Sequence, residues 1–186
     1  CVSENYKRKV LDKYKDNVFF DVKIDTKFNY KGNLRYGEYF IKGEKNKEIL
    51  ISTYLCHPSM ANNELSGPIV AMSLIDYFKK RKLNYGIRFV IIPETIGAIS
   101  YISKNFDKLK KNVFCGFNIT CVGDSRNYTF IKSKYENSPS DYSIEKILKN
   151  KKLKYIKQSF LKRGSDERQY NSVGVNLGIT TFSRSK

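Results

Sequence analysis

Two short runs, ILISTYL (49–55) and FVII (89–92), are apolar or small on almost every residue, and they constrain the fold more than anything else in the chain. A strand with one face in water alternates polar and apolar residues. A strand apolar on successive residues must be covered on both faces, which places it inside a largely parallel sheet between layers of helix. Flanked by turn residues, these runs predict strands over 48–55 and 87–93. Further strand-length runs rich in Ile, Val, Phe, Tyr and Thr occur at 18–24, 37–43, 113–123 and 175–182. Between them lie stretches of helical period, and that alternation predicts an α/β layer architecture.

The clearest helix spans 66–82 (SGPIVAMSLIDYFKKRK), with Ser66 as cap, Pro68 in the first turn, apolar residues at Ile69, Met72, Ile75 and Tyr77 to Phe78, and a basic end. Others are expected over 98–111, 140–151 and 165–172, and the first sixteen residues read as a basic helix leading into the domain. The polar segments 25–36 and 133–141 carry Gly, Asn or Pro and read as surface loops.

A chain of 186 residues with 40% hydrophobic and 14% aromatic content can bury one sizeable core, so a single domain over 1–186 is the expectation. No window approaches the roughly 18 to 20 uninterrupted apolar residues of a spanning helix, which argues against a membrane. The chain opens on Cys1 and closes on FSRSK with no cap or polar tail. It therefore reads as a fragment of a longer polypeptide, cut before the C-terminal end of the domain, with other domains expected in the full-length chain. No export signal opens it, and four cysteines without a CxxC pair suit a reducing cytoplasm. The net charge of +17 admits a nucleic-acid footprint or dispersed solvating charge. Its lysines are spread over every segment alongside abundant Asn, Ile and Tyr, as compositional drift produces, so nucleic acid is not the expected partner.

In an open α/β sheet, ligands bind beyond the carboxyl ends of the strands. His57, the only histidine, follows one buried strand; Asn62, Asn63 and Glu64 precede the crossover helix; Glu94 follows the next strand; Asp124 follows the run at 113–123; and Asp166 and Glu167 open the short helix at 165–172. Each has a structural reading as a turn or helix-cap residue, but their shared placement points to a nitrogen and oxygen site suited to zinc or another borderline metal, with no thiolate required. Cys56 adjoins His57, and neighbouring side chains in a strand face opposite ways, which argues against a thiolate and imidazole pair. There is no GxSxG turn and no phosphate-loop signature.

The segments STYLCHPSMANNELSGP, IIPETIGAISYI, NITCVGD and KRGSDERQY together resemble a bacterial family of aminopeptidase-like domains of unknown function within the zinc-dependent exopeptidase superfamily, from about Asn17 onward. The resemblance implies a three-layer α/β/α sandwich with a mixed, mainly parallel sheet. It further implies a hydrolase that cleaves a peptide or amide bond of a small substrate with a metal-activated water, using zinc, one or two ions. It maps metal ligands onto His57 and Glu64, the general base onto Glu94, also counted with the ligands, and a catalytic aspartate onto Asp166. Where the classical enzymes carry a metal-bridging aspartate this chain has Asn63, a weak ligand, which favours one metal over two. A further histidine, in a YHTS-like segment, is expected just past the point where the chain stops. The alternatives are a non-catalytic member that binds a ligand or partner and, behind it, a basic nucleic-acid-binding protein.

Overall fold

The computed structural model of the chain describes residues 3–14, 19, 21–58, 61–162 and 164–184. The chain divides into two compact units, Cys1–Asn33 and Leu34–Lys186. In the first, the basic segment forms α1 (Glu4–Tyr14), none of whose residues is buried. The strand expected over 18–24 does not appear: residues 19 and 21–24 have no regular structure, Val18 and Phe20 lie outside the described residues, and Phe19, Val22 and Ile24 are exposed. Alternating apolar residues make a strand only when a neighbour takes up their backbone N–H and C=O groups, and no described strand pairs with this segment.

The second unit holds a sheet of seven described strands: β1 (Gly37–Ile41), β2 (Lys45–Tyr54), β3 (Tyr85–Ile92), β4 (Val113–Ile119), β5 (Tyr128–Ile131), β6 (Tyr155–Gln158) and β7 (Ile179–Ser183). Their order is β1-β3-β2-β4-β7-β5-β6. Strands β3, β2, β4 and β7 run parallel in the centre; β1 is antiparallel to β3, and β5 is antiparallel to β7 and parallel to β6. The mixed, mainly parallel sheet expected above is the one observed.

Both faces are covered. Leu50 of β2 and Val90 and Ile92 of β3 pack on one side against Ala98, Tyr101, Ile102 and Leu109 of α3 (Ile96–Asn112) and Tyr170 of α5 (Asp166–Tyr170). On the other side Ile51, Ile87 and Phe89 pack against Ala71 of α2 (Asn62–Phe78), while Phe130 meets Ile144 and Leu148 of α4 (Pro139–Asn150). Successive strand residues thus feed opposite cores, which is why β2 and β3 are apolar without alternation.

The buried stripe of α2 differs from the one read above. Gly67, Pro68 and Ala71 are buried and Val70, Leu74, Ile75 and Phe78 pack beside them, whereas Ile69, Met72 and Tyr77 are exposed. A glycine and an alanine mark the contact because the helix lies so close to the sheet. A Cβ on Gly67 would sit 2.1 Å from Thr53 Oγ1 and 2.5 Å from the Ile119 carbonyl oxygen, so only glycine permits this approach to the ends of β2 and β4. That approach sets the position of everything just ahead of the helix.

Candidate functional site

Strands β2, β3 and β4 are parallel neighbours and end at Tyr54, Ile92 and Ile119 on one edge of the sheet. The segments leaving these ends bring Cys56 and His57, Glu94 and Thr95, and Thr120 and Cys121 to that edge. Glu64, Thr95 and Cys121 all have left-handed backbone, with φ of 67°, 62° and 50°. A β-branched or acidic residue adopts that conformation only when its surroundings impose it, and such strain concentrates at functional sites.

Glu64 is the junction. Asn63 (φ −70, ψ 148) and Glu64 (φ 67, ψ −23) interrupt helical geometry, so the regular part of α2 begins at Leu65. Ser66 is therefore not the cap expected of it; its hydroxyl donates to the Asn62 carbonyl (2.5 Å) and accepts from Val122 N–H (2.9 Å). The Glu64 side chain is wholly buried. Its Oε2 accepts from the backbone N–H of Cys56 and of His57, the latter at 3.3 Å. Its Oε1 lies 3.1 Å from His57 Nε2 and 3.5 Å from Cys56 Sγ. The expectation that Cys56 and His57 face opposite ways fails, because β2 ends at Tyr54 and strand alternation no longer governs them. Burial raises the Cys56 thiol above its ordinary range, and the nearby Glu64 and Glu94 add to the rise against a backbone hydrogen bond from Glu94.

Glu94 and Asp166 meet across the sheet edge. Ser165 Oγ donates to Glu94 Oε1 (2.5 Å), and Thr95 N–H donates to Asp166 Oδ1 (2.7 Å). Tyr170 anchors α5 beneath them through a 2.9 Å bond between its hydroxyl and Ser52 Oγ of β2. Asp166 has no exposed surface, and its Oδ2 has no hydrogen-bond partner. Burial pushes its carboxyl up to about 7, with Glu94, Glu167 and Glu64 adding to the rise against the Thr95 N–H.

A sign follows from that shift. The folded protein holds a proton on Asp166 that the unfolded chain gives up near pH 4, so this group's contribution to stability falls as pH rises towards 7 and is constant above. In metal-free protein the fall between pH 5 and 8 is on the order of 2 kcal/mol. Urea unfolding at both pH values checks it: the fall is expected to shrink by that amount in Asp166→Asn, and an unchanged slope would contradict the argument.

The remaining candidates divide. Glu167 is a structural group: its carboxylate accepts from Ser165 N–H (3.0 Å) and Thr181 Oγ1 (2.9 Å). Asp124 is bound to Arg126 (2.7 Å) and to Asn62 Nδ2 (2.8 Å), which makes it part of the turn after β4. Asn63 sits at the site, its Nδ2 3.4 Å from His57 Nε2 and its Oδ1 accepting from Cys121 Sγ at 3.5 Å. Cys56 and Ser165 are the site residues that sequence reasoning left out. The signal for Cys56 was its place beside His57 at a buried strand's end; nothing local marked Ser165.

Cys56 Sγ and carboxylate oxygens of Glu64 and Glu94 lie within 4.8 Å of one another. Among the described residues, the one ion pair made by Glu64 or Glu94 is that of Glu64 with His57. Buried carboxylates without a compensating cation are costly, by several kcal/mol for each charge, and imidazole, carboxylate and thiol are the donors zinc takes. The residues present therefore fit one zinc ion. Asn63 supplies no charge for a second.

No described helix is long and apolar enough to cross a membrane. The family described as "Domain of unknown function (DUF4910)" matches residues 15–186. A Clostridium acetobutylicum protein named for polysaccharide biosynthesis and an aminopeptidase-like domain is 42% identical over 166 residues, 89% of this chain and 38% of that one. This chain thus spans well under half of that relative's length. A crystal structure of a C. acetobutylicum protein described as a peptidase, also 42% identical, superposes with a TM-score of 0.77 over 81% of this chain and 35% of that chain. A zinc-dependent exopeptidase from Parabacteroides distasonis superposes with a TM-score of 0.60 at 14% identity, over 98% of this chain and 75% of that one, a likeness of fold.

Proposed function

The chain belongs to the DUF4910 family, and from that premise and the geometry of its site we propose that it is a zinc-dependent hydrolase of peptide or amide bonds. The observation that carries the proposal is the buried Glu64 carboxylate, 3.1 Å from His57 Nε2 and next to Glu94 with no lysine or arginine paired to either among the described residues. His57 and Glu64 hold zinc, which when bound supplies a Lewis acid for the scissile carbonyl and lowers the pKa of water.

Glu94 is the general base. It is half-buried at the end of β3, and the Ser165 hydroxyl holds one of its oxygens, so the carboxylate is oriented before substrate arrives. Asp166 was expected to be catalytic; wholly buried, it acts instead as a positioning residue that fixes the Glu94–Thr95 turn through the Thr95 N–H. The substrate is a small peptide or an amide. The name of the C. acetobutylicum relative adds weight to an amide in a sugar or cell-envelope precursor.

The test is elemental analysis followed by a screen of aminoacyl and N-acyl amino-sugar substrates. The protein is expected to hold about one equivalent of zinc and to lose it in His57→Ala. Glu94→Gln is expected to keep zinc while hydrolysis falls by about 10² to 10⁴. Absence of bound zinc overturns the proposal. Bound zinc without hydrolysis of any amide would favour a ligand-binding role, the reading to which the neutral Asn63 side chain lends support.

A further inference from the structure

We propose that a cavity of about 450 Å³ at the opposite edge of the sheet, lined by Lys42, Lys45, Lys47 and Lys111, binds a diphosphate, free or as an ester. The inference is independent of the zinc reading. Strands β2 and β4 begin here, at Lys45 and Val113, and the candidate metal site lies at their other ends.

Charge balance carries it. Glu48 is the one carboxylate that lines this cavity, and both its oxygens are taken by the Arg88 guanidinium, at 2.7 and 2.8 Å. Glu44, in the same turn as Lys42 and Lys45, pairs with Lys82 at 2.8 Å, and among the described residues none of the four cavity lysines forms an ion pair. Four ammonium groups around one hollow repel one another, and an anion that enters relieves the repulsion. Lysines that merely solvate a surface do not meet in a cavity. A diphosphate brings several negative charges and many acceptor oxygens into one place, and lysine binds phosphate as a point charge.

The lysines are held in place before a ligand arrives. Gly43, in the turn between β1 and β2, lies against the start of β3, where a Cβ would come within 2.3 Å of the Tyr85 carbonyl carbon. Backbone bonds tie the turn there, from Glu44 N–H to the Leu83 carbonyl (2.9 Å) and from Lys45 N–H to the Asn84 carbonyl (2.8 Å). Lys45 Nζ lies 4.9 Å from the centre of the Tyr85 ring, and Lys47 Nζ donates to the Lys111 carbonyl at 2.7 Å. An ammonium that gives one N–H to the protein keeps two for a ligand, and a side chain already placed loses less freedom on binding. Phe40, 44% exposed, adds an apolar wall for the organic part of an ester. The volume falls within the range of about 300 to 1,000 Å³ of small-molecule sites.

The test is calorimetric titration of the protein with inorganic pyrophosphate, ADP, orthophosphate and a short DNA duplex. Pyrophosphate is expected to bind at about one equivalent and at least about tenfold more tightly than orthophosphate. Lys42→Glu combined with Lys111→Glu is expected to weaken it by at least about 10²-fold. Lys146→Glu combined with Lys151→Glu changes the net charge equally at exposed positions outside the cavity, and is expected to weaken it less than about threefold. ADP binding that Phe40→Ala weakens identifies an ester as the ligand, and pyrophosphate binding with ADP excluded identifies the free anion; both support the site. Absence of saturable pyrophosphate binding overturns the proposal, and so does equal weakening by the two double variants. DNA bound more tightly than pyrophosphate, and weakened alike by both pairs, overturns it in favour of a diffuse basic surface. His57→Ala is expected to bind pyrophosphate as the unsubstituted protein does, and loss of binding there would place the anion on the metal instead. Should the double variant not fold, Lys42→Gln alone decides, with an expected loss of about tenfold.

Discussion

Glu64→Gln is expected to lower zinc affinity at the candidate site by more than about 10²-fold. One carboxylate does several things there. Oε1 faces His57 Nε2 and Cys56 Sγ, and Oε2 accepts from the N–H groups of Cys56 and His57. A glutamine keeps the volume and loses the charge, and one end of its amide becomes a donor turned towards other donors. If the amide nitrogen faces the loop, two backbone N–H groups lose their acceptor; if it faces His57, the metal loses an oxygen. Hydrogen exchange at the Cys56 and His57 amides measures the first effect, and zinc competition titration measures the second. Near-normal zinc affinity in this variant would remove Glu64 from the ligand set and sink the zinc-hydrolase proposal.

Arg88→Met is expected to cost about 3–5 kcal/mol of folding stability, enough to unfold a marginal domain. Arg88 of β3 is 2% exposed and grips Glu48 of β2 with two parallel bonds, Nε to Oε1 at 2.7 Å and Nη2 to Oε2 at 2.8 Å. It also binds Glu38 of β1, whose second oxygen accepts from the Tyr101 hydroxyl of α3 at 3.1 Å. Burial and the neighbouring Glu38 hold that hydroxyl well above the ordinary tyrosine range. Removing the guanidinium strands the Glu48 carboxylate, 3% exposed, without a partner. The cost is that stranded charge rather than the strength of the pair. The double variant Glu48→Leu with Arg88→Met is accordingly expected to recover much of the loss. Urea midpoints of the single and double variants test this, and equal destabilisation in both would refute it.

How far the sequence could be read differs from element to element. The centre of the sheet was legible because a strand covered on both faces must be apolar on successive residues, and β2 and β3 meet that condition locally. Strands β5 and β6, of four residues each, escaped because so short a run carries no period, and β6 is only partly covered. The run at 18–24 erred the other way: its pattern suits a strand, but pairing is a property of two segments and not of one. The stripe of α2 was misjudged because large apolar residues were taken as its contact, whereas the tight approach to Thr53 and Ile119 selects Gly67 and Ala71 and turns Ile69 and Met72 to solvent.

The site divides in the same way. The sequence by itself determined which groups reach this edge of the sheet, because parallel order forces the residues after β2 and β3 to lie side by side: His57, Glu94 and, ahead of the crossover helix, Glu64. Tertiary structure alone decided what those groups do to one another. The left-handed turn at Glu64 brings its carboxylate to both Cys56 and His57, and the packing of α5 on β2 through Tyr170 and Ser52 buries Asp166 next to Glu94. Periodicity is a record of each residue's own burial, so it survives in the sequence. Convergence depends on backbone segments that are distant along the chain approaching within a few ångströms, and no local pattern records that.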